Sequence, residues 1–160
     1  MTKDTLRDAT PDDVPAMVEL SERKRLEYET YQPTFWRKAA DSREKQTAFF
    51  QNILERKDRL ILVYEREEKV IGFVIGALVP APPVYDPGGH TCMIDDFAVS
   101  DPNEWESVGV ALLDTAIAEA RYSGAVQAVV VCGHGDSPKR SMLAANGYGI
   151  ASEWRVKAIE

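Results

Sequence analysis

The chain has 160 residues, of which 44% are hydrophobic and 28% charged, and this composition excludes a disordered or collagen-like protein. Nineteen basic and 26 acidic residues give a formal net charge of −7, which argues against nucleic acid or an anionic membrane as a partner. A chain of this length normally forms one domain whose core needs no disulfides, so a single domain over residues 1–160 is expected.

Cysteine usage and apolar patterning predict the compartment. Cys92 and Cys132 are the only cysteines, which is typical of free thiols in a reducing cytosol. The polar stretch Met1–Thr10 lacks the apolar core of a signal peptide. The apolar stretch Val70–Val84 is interrupted by glycines and prolines and is too short to span a bilayer. We therefore expect a cytoplasmic protein with no membrane partner.

The N-terminal half predicts a strand, two helices and a β-hairpin. Thr5–Ala9 is typical of a short strand, and Thr10-Pro11-Asp12-Asp13 has the residues of a capped helix start. An apolar stripe from Val14 onward indicates the first helix. The further predicted elements are a helix over Ser42–Arg56, with Phe49 and Phe50 inward, and hairpin strands over Arg59–Glu65 and Val70–Val79.

The C-terminal half alternates strands and helices. The predicted elements are a strand over His90–Val99, a helix over Val108–Tyr122, a buried strand over Ala125–Cys132, a helix over Ser137–Asn146 and a last β region over Tyr148–Ile159. The strand–helix–strand order predicts a parallel pair, whereas the hairpin is antiparallel. The fold class is therefore α/β (α+β), with a mixed central sheet and helices on both faces.

Four aromatic residues cluster after the first predicted helix. Tyr28, Tyr31, Phe35 and Trp36 surround Pro33. They fit the packing of a corner between two helices, because aromatic side chains bury large apolar surfaces. They also fit the wall of a substrate pocket, and Tyr28, Tyr31 and Trp36 are the candidate substrate-binding residues.

An acidic pair near the end of the predicted strand His90–Val99 is the candidate catalytic group. Period-two alternation places Asp95, Phe97 and Val99 on one face of this strand and Asp96 on the other. A carboxylate in a cleft can act as a base or hold a substrate ammonium. The alternative is that either carboxylate only pairs with a neighbouring lysine or arginine.

Two predicted helix starts are candidate anion sites. The first contains Ser107-Val108-Gly109, whose small residues let the backbone approach a phosphate while unpaired N–H groups bind it. At the second, Asp136 or Ser137 caps the helix and Pro138 lies in its first turn. Lys139 follows there against the helix dipole, which makes it a candidate contact for a phosphate.

A zinc site is the weaker interpretation of the histidines and cysteines. His90, Cys92, Cys132 and His134 are the four candidate ligands. In a parallel strand pair, His90 lies near the start of one strand and His134 beyond the end of the other, about 25 Å apart at ~3.3 Å per residue. We therefore expect no metal.

The stretch from Phe97-Ala98-Val99 to Ser107-Val108-Gly109-Val110-Ala111-Leu112-Leu113 resembles the central motif of the GNAT superfamily of acyl-CoA N-acyltransferases. The opening stretch Leu6–Asp13 and the hairpin stretch Val70-Ile71-Gly72-Phe73 are similar to that family's first three strands. The resemblance implies the GNAT fold over nearly the whole chain and acetyl-CoA as cosubstrate. The implied cofactor-binding residues are Phe97, Ala98, Val99, Glu104, Ser107, Val108, Gly109, Val110, Asp136 and Lys139.

The chain departs from the family pattern at four positions. Glu104 stands where the family usually has glutamine or arginine, and Ser107 replaces the first glycine of the loop. Family members often have an asparagine and then a tyrosine that protonates the departing thiolate. Counted back from Gly147, these positions hold Asp136 and Leu143.

The resemblance implies an N-acetyltransferase that moves acetyl from acetyl-CoA to an amine of a small molecule or peptide by direct attack. A backbone N–H near Val99 would polarise the thioester carbonyl, and a carboxylate would accept the amine proton. The favoured carboxylate is Asp95, which resembles the acidic residue of polyamine-type members of the family, with Asp96 as the alternative. A homodimer is one expected assembly. The alternative function, suggested by the four departures, is a GNAT-like module that binds a ligand or partner with weak or no catalysis.

Overall fold

A computed structural model describes residues 2–160, which form one five-stranded sheet in the order β1-β2-β3-β4-β5. The strands are β1 (Asp4–Asp8), β2 (Arg59–Arg66), β3 (Lys69–Val79), β4 (His90–Val99) and β5 (Ala125–Val130). The first four strands pair antiparallel in chain order, and β4 pairs parallel with β5. The predicted mixed sheet with one parallel pair is confirmed.

Helices cover both faces of this sheet, as the sequence predicts. They are α1 (Val14–Tyr31), α2 (Ser42–Ile53), α3 (Val110–Tyr122) and α4 (Ser137–Ala145). Residues of α1 and α2 pack on one face, against Val63 and Phe73 among others. Residues of α3 and α4 pack on the other face, around Ile94 and Phe97. The sheet is thus buried between two helical layers, which accounts for its apolar strands.

The predicted capping box at the start of the first helix is present. The backbone N–H of Thr10 donates to Asp13 Oδ2 at 2.7 Å. The guanidinium of Arg7 donates to both Asp13 and Glu65, each at 2.7 Å, and so connects β1, the helix start and β2. Burial alone would raise the pKa of Asp13, but the hydrogen bonds from Arg7 and Thr10 lower it.

Three predictions for individual segments are wrong. Phe49 is 46% exposed, because its neighbour Phe50 occupies the inner face of α2. The strand β5 is not fully buried: it forms the sheet edge, and Val126 is exposed. The segment Tyr148–Ile159 forms no strand and is largely exposed. Alternating apolar residues make a strand only where they pair with a sheet edge, and this segment pairs with neither β1 nor β5, the two edge strands of the sheet.

The turn between β4 and α3 is helical throughout. A 3₁₀ turn covers Pro102–Glu104, and a π-helical turn over Trp105–Gly109 continues directly into α3. The predicted helix start at Val108 therefore lies inside this π turn. Within residues 2–160, none of the helices has the length and apolar content that crossing a bilayer requires.

Candidate active site

A β-bulge interrupts β4 at the acidic pair. Asp96 pairs with Ile75 of β3, but the next β3 residue, Gly76, pairs with Ile94. Asp95 is therefore the extra residue, without a partner on β3. An extra residue reverses the alternation of side chains along a strand.

Because the alternation reverses at the bulge, the residues of β4 after Asp95 lie on the opposite faces from those predicted. Phe97 is buried on the α3 side together with Cys92, although the two are an odd number of residues apart. Ala98 is buried on the α1 side. The predicted grouping of Asp95 with Phe97 is wrong, because it assumed an uninterrupted strand. Asp95 lies exposed at the bulge, and Asp96 is half-buried on the α1 side with Ala98.

The strands β4 and β5 separate after the bulge. Their last contact is the N–H of Val131, which donates to the Ile94 carbonyl at 2.9 Å. The five residues Asp95–Val99 have no strand on this side, and we call the space between them and the segment Val131–Asp136 the β4–β5 gap. The Phe97 carbonyl faces this gap, since it accepts a hydrogen bond from Lys139. The N–H and C=O of one strand residue point to the same edge, so the N–H groups of Phe97 and Val99 open into the gap.

Lys139 occupies the interior of the gap. Its side chain is fully buried, and its Nζ donates to the Phe97 carbonyl oxygen at 3.2 Å. The ammonium also lies 5.2 Å from the Phe97 ring centroid and 5.4 Å from that of Trp105. Desolvation lowers the pKa of Lys139 to about 7. A phosphate contact at the helix start would require this side chain to turn outward, away from the place it occupies.

Two carboxylates and a second lysine face one another at the mouth of the gap. Desolvation raises the pKa of Asp96, and the positive charges of Lys24 and Arg25 partly offset that rise. Lys24 also interacts electrostatically with Asp136. Lys24 is not among the site residues predicted from the sequence. Its position four residues before Tyr28 places both on one face of α1, and that spacing could have indicated it.

Tyr28 connects α1 to the start of α4. Its hydroxyl donates to Asp136 Oδ2 at 2.7 Å and accepts from the Gly133 N–H at 3.2 Å. Asp136 in turn caps α4 by accepting from the N–H of Lys139 at 3.4 Å. Tyr28 is buried, and desolvation together with the Asp136 charge raises the pKa of its hydroxyl. Tyr28 therefore packs the corner between α1 and the segment that precedes α4.

The glycines between Cys132 and Asp136 allow a close approach to two tyrosines. A Cβ at Gly133 would lie 2.7 Å from the Tyr28 ring, and one at Gly135 would lie 2.6 Å from Tyr31. Tyr31 itself is 41% exposed. Trp36 is half-buried and packs edge-on against Tyr28 at 5.1 Å between ring centroids. In the described part of the chain, no three histidine, cysteine or carboxylate side chains form a group that could hold a metal ion.

Glu104 points away from the gap. Its carboxylate accepts from Arg66 at 2.7 Å and from the Ser107 hydroxyl at 2.9 Å, and the Arg66 bond lowers its pKa. Arg66 lies at the β2–β3 turn and also pairs with Asp4. Nothing in the sequence spacing indicated that Arg66 reaches residue 104.

Trp105 fills the inner side of the turn before α3. It is 6% exposed and packs edge-on against Phe97 at 4.9 Å. A Cβ at Gly109 would lie 2.6 Å from the Trp105 ring, so this position has to be glycine while Trp105 keeps its place. In the same turn Val108 is buried, Ser107 is exposed, and the following Val110 is half-buried.

The mouth of the gap forms a small cleft of about 80 Å³. It is bounded by Lys24 and Tyr31 of α1, by Val99, and by Trp105 and Asp136. A larger cavity of about 350 Å³ lies at the opposite end of the sheet, between the ends of β1, β3 and α3 and the start of β2. It contains none of the predicted site residues. The smaller cleft is therefore the candidate active site.

Comparison with known proteins now identifies the family. The sequence profile of the Acetyltransferase (GNAT) family matches residues 21–148. The chain belongs to the GNAT acetyltransferase family. The profile covers α1 from Ser21 onward, the β4 bulge, the turn before α3 and α4, so nearly all of the candidate site lies within the matched region. No curated protein sequence matches the chain significantly.

Solved GNAT structures share the fold over the whole chain. One is a predicted acetyltransferase from Clostridium acetobutylicum, solved with acetyl-CoA, which has 17% sequence identity and a TM-score of 0.76. The superposition covers 98% of this chain and 96% of the Clostridium chain. An aminoglycoside N-acetyltransferase in complex with CoA has 10% identity and a TM-score of 0.74, covering 99% and 96%. Glucosamine-6-phosphate N-acetyltransferase from Arabidopsis thaliana has 14% identity and a TM-score of 0.67, covering 99% of both chains.

Proposed function

We propose that this protein transfers the acetyl group of acetyl-CoA to an amine within the β4–β5 gap. The observation that carries the proposal is the bulge at Asp95, which turns the N–H groups of Phe97 and Val99 toward the open edge of β4. Preorganised backbone donors of this kind stabilise the oxyanion that develops during acyl transfer. The acetyl-CoA bound to the Clostridium acetobutylicum acetyltransferase supports the choice of cosubstrate.

The mechanism we propose is direct attack. The amine nitrogen adds to the thioester carbonyl carbon, and the carbon–sulfur bond then breaks with its electron pair on sulfur. Asp96 accepts the amine proton, directly or through one water, because its raised pKa suits a general base better than that of an ordinary surface carboxylate. No covalent enzyme intermediate forms, so Cys92 and Cys132 have no chemical role.

The turn before α3 is the proposed site for the pyrophosphate of acetyl-CoA. Helix starts bind anions through N–H groups that lack partners inside the helix, and Ser107, Val108 and Gly109 remain the proposed contacts. The N–H of Val110, which the family resemblance also implied, is not available, because it donates to the Trp105 carbonyl inside the π turn. The Glu104 carboxylate is neutralised by Arg66 and does not oppose a phosphate. Ligand sites usually measure ~300–1,000 Å³, so the 80 Å³ cleft has to widen when the cosubstrate binds.

The proposed acceptor is a cationic amine of a small molecule or peptide. The net charge of −7 and the exposed Asp95 beside Asp96 would attract an ammonium group. Tyr31 and Trp36 are the proposed apolar contacts for the rest of the acceptor. Two of the structural neighbours are named as N-acetyltransferases of an aminoglycoside and of an amino sugar phosphate, which supports an amine acceptor.

A GNAT-like binding module without catalysis is the second candidate function. The specific observation in its favour is that Trp105 and Lys139 occupy the interior next to the gap and leave a small cleft. In addition, Leu143 has no proton for the departing thiolate. Such a module would bind acetyl-CoA or a partner but release no free thiol.

Calorimetry with acetyl-CoA, followed by a thiol-release assay across a panel of polyamines, aminoglycosides, amino acids and peptides, separates these functions. Binding with amine-dependent thiol release supports the transferase, and binding alone supports the module. Ser107→Glu should abolish binding by placing a charge at the exposed pyrophosphate site, whereas the matched Ser107→Gln should retain it. An unchanged melting curve at millimolar acetyl-CoA, in a fully folded protein, contradicts the transferase and any module that binds acetyl-CoA.

A homodimer is the proposed assembly. Its support is the unpaired outer edge of β5 with exposed Val126, together with Ile150 and Trp154, which are 81% and 83% exposed. Exposed apolar groups of this kind mark association surfaces. Light scattering should give twice the chain mass, and Ile150→Ser with Trp154→Ser should give the monomer.

The proposed organisation is one domain in the cytoplasm. Cys92 and Cys132 are both free thiols, which supports a reducing compartment. The helical layers on both sides of one sheet support a single folding unit. A single cooperative unfolding transition, with the same midpoint by circular dichroism and tryptophan fluorescence, is the expected result.

A further inference from the structure

Lys139 is a buried lysine whose ammonium bonds to a backbone carbonyl at the open edge of β4. Lys139 Nζ bonds to the carbonyl of Phe97, whose N–H is the proposed donor to the thioester. Both groups of Phe97 face the β4–β5 gap, so the ammonium lies behind the wall of the cleft, next to the proposed position of the reacting bond. This inference rests on the proposed function and concerns the fate of the departing thiolate.

The inward face of α4 offers one proton donor. Its buried residues are Lys139, Met142 and Leu143. Lys139 lies four residues before Leu143, on the same side of the helix and one turn closer to its start. The resemblance to the family implies a proton-donating tyrosine at residue 143, and leucine has no exchangeable proton. Among these three side chains, only the ammonium of Lys139 can supply one.

We propose that Lys139 is a catalytic residue that protonates the departing thiolate of CoA. When the carbon–sulfur bond breaks, the electron pair stays on sulfur, and the thiolate takes one proton from the Lys139 ammonium. The products are the amide, the CoA thiol and a neutral Lys139 amine. An acceptor that arrives as an ammonium first loses one proton to solvent. The second proton, lost when the amide forms, goes to Asp96. Asp96 then releases this proton to solvent while Lys139 regains one from solvent, so charges and protons balance.

The surroundings of Lys139 match this role. The ammonium is held by one carbonyl and the faces of two aromatic rings, so its proton is free to transfer. Burial and the Lys24 charge lower its pKa, while Cys132, Asp136 and Asp96 oppose that decrease. A pKa of about 7 is close to neutral pH, where a general acid is most effective. The acid form is lost as pH rises through this pKa.

Lys139→Met tests the proposal kinetically, because methionine has a similar length and suits a buried site. We expect kcat to fall by about 10²- to 10⁴-fold, with a smaller change in the KM for acetyl-CoA. The alkaline decrease of kcat in the wild type should disappear in Lys139→Met and in Lys139→Gln. Arg140→Met is the matched control, since it removes an exposed cation from the same turn and should leave kcat unchanged.

The thiol of bound CoA provides a readout that needs no turnover. An ammonium a few Å away lowers the pKa of an acidic group by about 1 to 3 pH units. The two groups titrate as a coupled pair, so part of the thiol bound to the wild type should ionise while Lys139 is still charged. Ultraviolet titration of the thiolate should therefore begin at lower pH for the wild type than for Lys139→Met. Superimposable titration curves for CoA bound to the two proteins would overturn the proposal.

The two assays separate this proposal from the proposed function. Unchanged kcat and an unchanged alkaline limb in folded Lys139→Met overturn the role of Lys139 and leave the transferase intact. Binding of CoA without turnover by the wild type overturns the transferase, while the thiol titration still decides whether Lys139 meets the sulfur. An acetyl group found on Lys139 by mass spectrometry would make it a nucleophile and would also overturn the proposal.

Discussion

The two edges of β4 differ along the second half of the strand. Toward β3, pairing runs from Thr91 opposite Val79 to Val99 opposite Gly72, interrupted only by the bulge. Toward β5, pairing ends at Ile94 opposite Val130. The same strand thus provides structure on one edge and free backbone groups on the other. The candidate site lies along the part of β4 whose backbone groups have no partner strand on the β5 side.

This difference makes the effects of substitutions separable. Backbone groups at a paired edge are used by the fold, whereas those at an open edge remain available to a ligand. Changes on the open side should alter activity more than stability. Changes on the paired side should do the opposite.

The largest effect is expected for Asp96→Asn, on the open half of β4. We expect kcat/KM to fall by about 10²- to 10⁴-fold, because asparagine cannot accept the amine proton. Stability should not decrease, since a desolvated charge is removed. In the wild type, kcat/KM should also fall as pH decreases through the raised pKa of Asp96, and the variant should lack this acidic limb.

Asp95→Asn is the matched control for that prediction. Asp95 is exposed at the bulge, so its loss should reduce only the attraction of the ammonium group and raise KM. Uninterrupted alternation of the strand predicts the opposite ranking. A larger loss in Asp95→Asn than in Asp96→Asn would show that the bulge does not set the position of the base.

Tyr28→Phe should have the next largest effect, which is a loss of stability. Tyr28 bonds to the segment Gly133–Asp136, which bounds the open edge of β4. The substitution removes a hydrogen bond to the buried Asp136 carboxylate and leaves the Gly133 N–H without its acceptor. Hydrogen bonds to charged groups contribute about 1.5–3 kcal/mol, and urea unfolding should show a loss of this size. Tyr31→Phe is the control, and a similar loss there would contradict the assignment to the Tyr28 hydroxyl.

Gly76→Ala tests the paired edge beside the bulge. Its Cβ would lie 2.9 Å from Cys92 Sγ and 3.0 Å from Leu60, so the core has to shift. Overpacking of this kind costs about 1–3 kcal/mol, while acetyl-CoA affinity of the folded protein should not change. Gly149→Ala, where a Cβ would meet nothing within 4 Å, is the control. A weaker affinity in Gly76→Ala at unchanged stability would break the distinction between the two edges.

The smallest effect is expected for Glu104→Gln. If Glu104 faced the pyrophosphate, removing its charge would increase acetyl-CoA affinity several-fold. Its carboxylate bonds instead to Arg66 and Ser107. Calorimetry should show a change of less than about twofold, and the melting temperature should stay nearly constant, because partly exposed ion pairs contribute little. A several-fold gain in affinity would place the carboxylate at the phosphates.

The sequence by itself determined the elements, the fold class and the family. Capping at Thr10, the apolar stripe from Val14 and the motif from Phe97 to Leu113 each arise from residues close together in the chain. Local preferences and periodicities decide such features, and β1, α1, α3 and the parallel pair followed from them. The same local argument failed at Tyr148–Ile159, where the pattern fits a strand but no edge pairs with it.

Only the tertiary structure decided which side chains form the site. The bulge at Asp95 depends on how β3 pairs with β4, and it separates Asp95 from the face of Phe97 and Val99, where uninterrupted alternation placed it. Lys139 contacts Phe97 across 42 residues of sequence, and Arg66 reaches Glu104 across 38. Register and long-range contacts are set by packing of the whole chain rather than by neighbouring residues. For this reason the sequence predicted the region of the candidate site, and only the structure decided which side chains meet there.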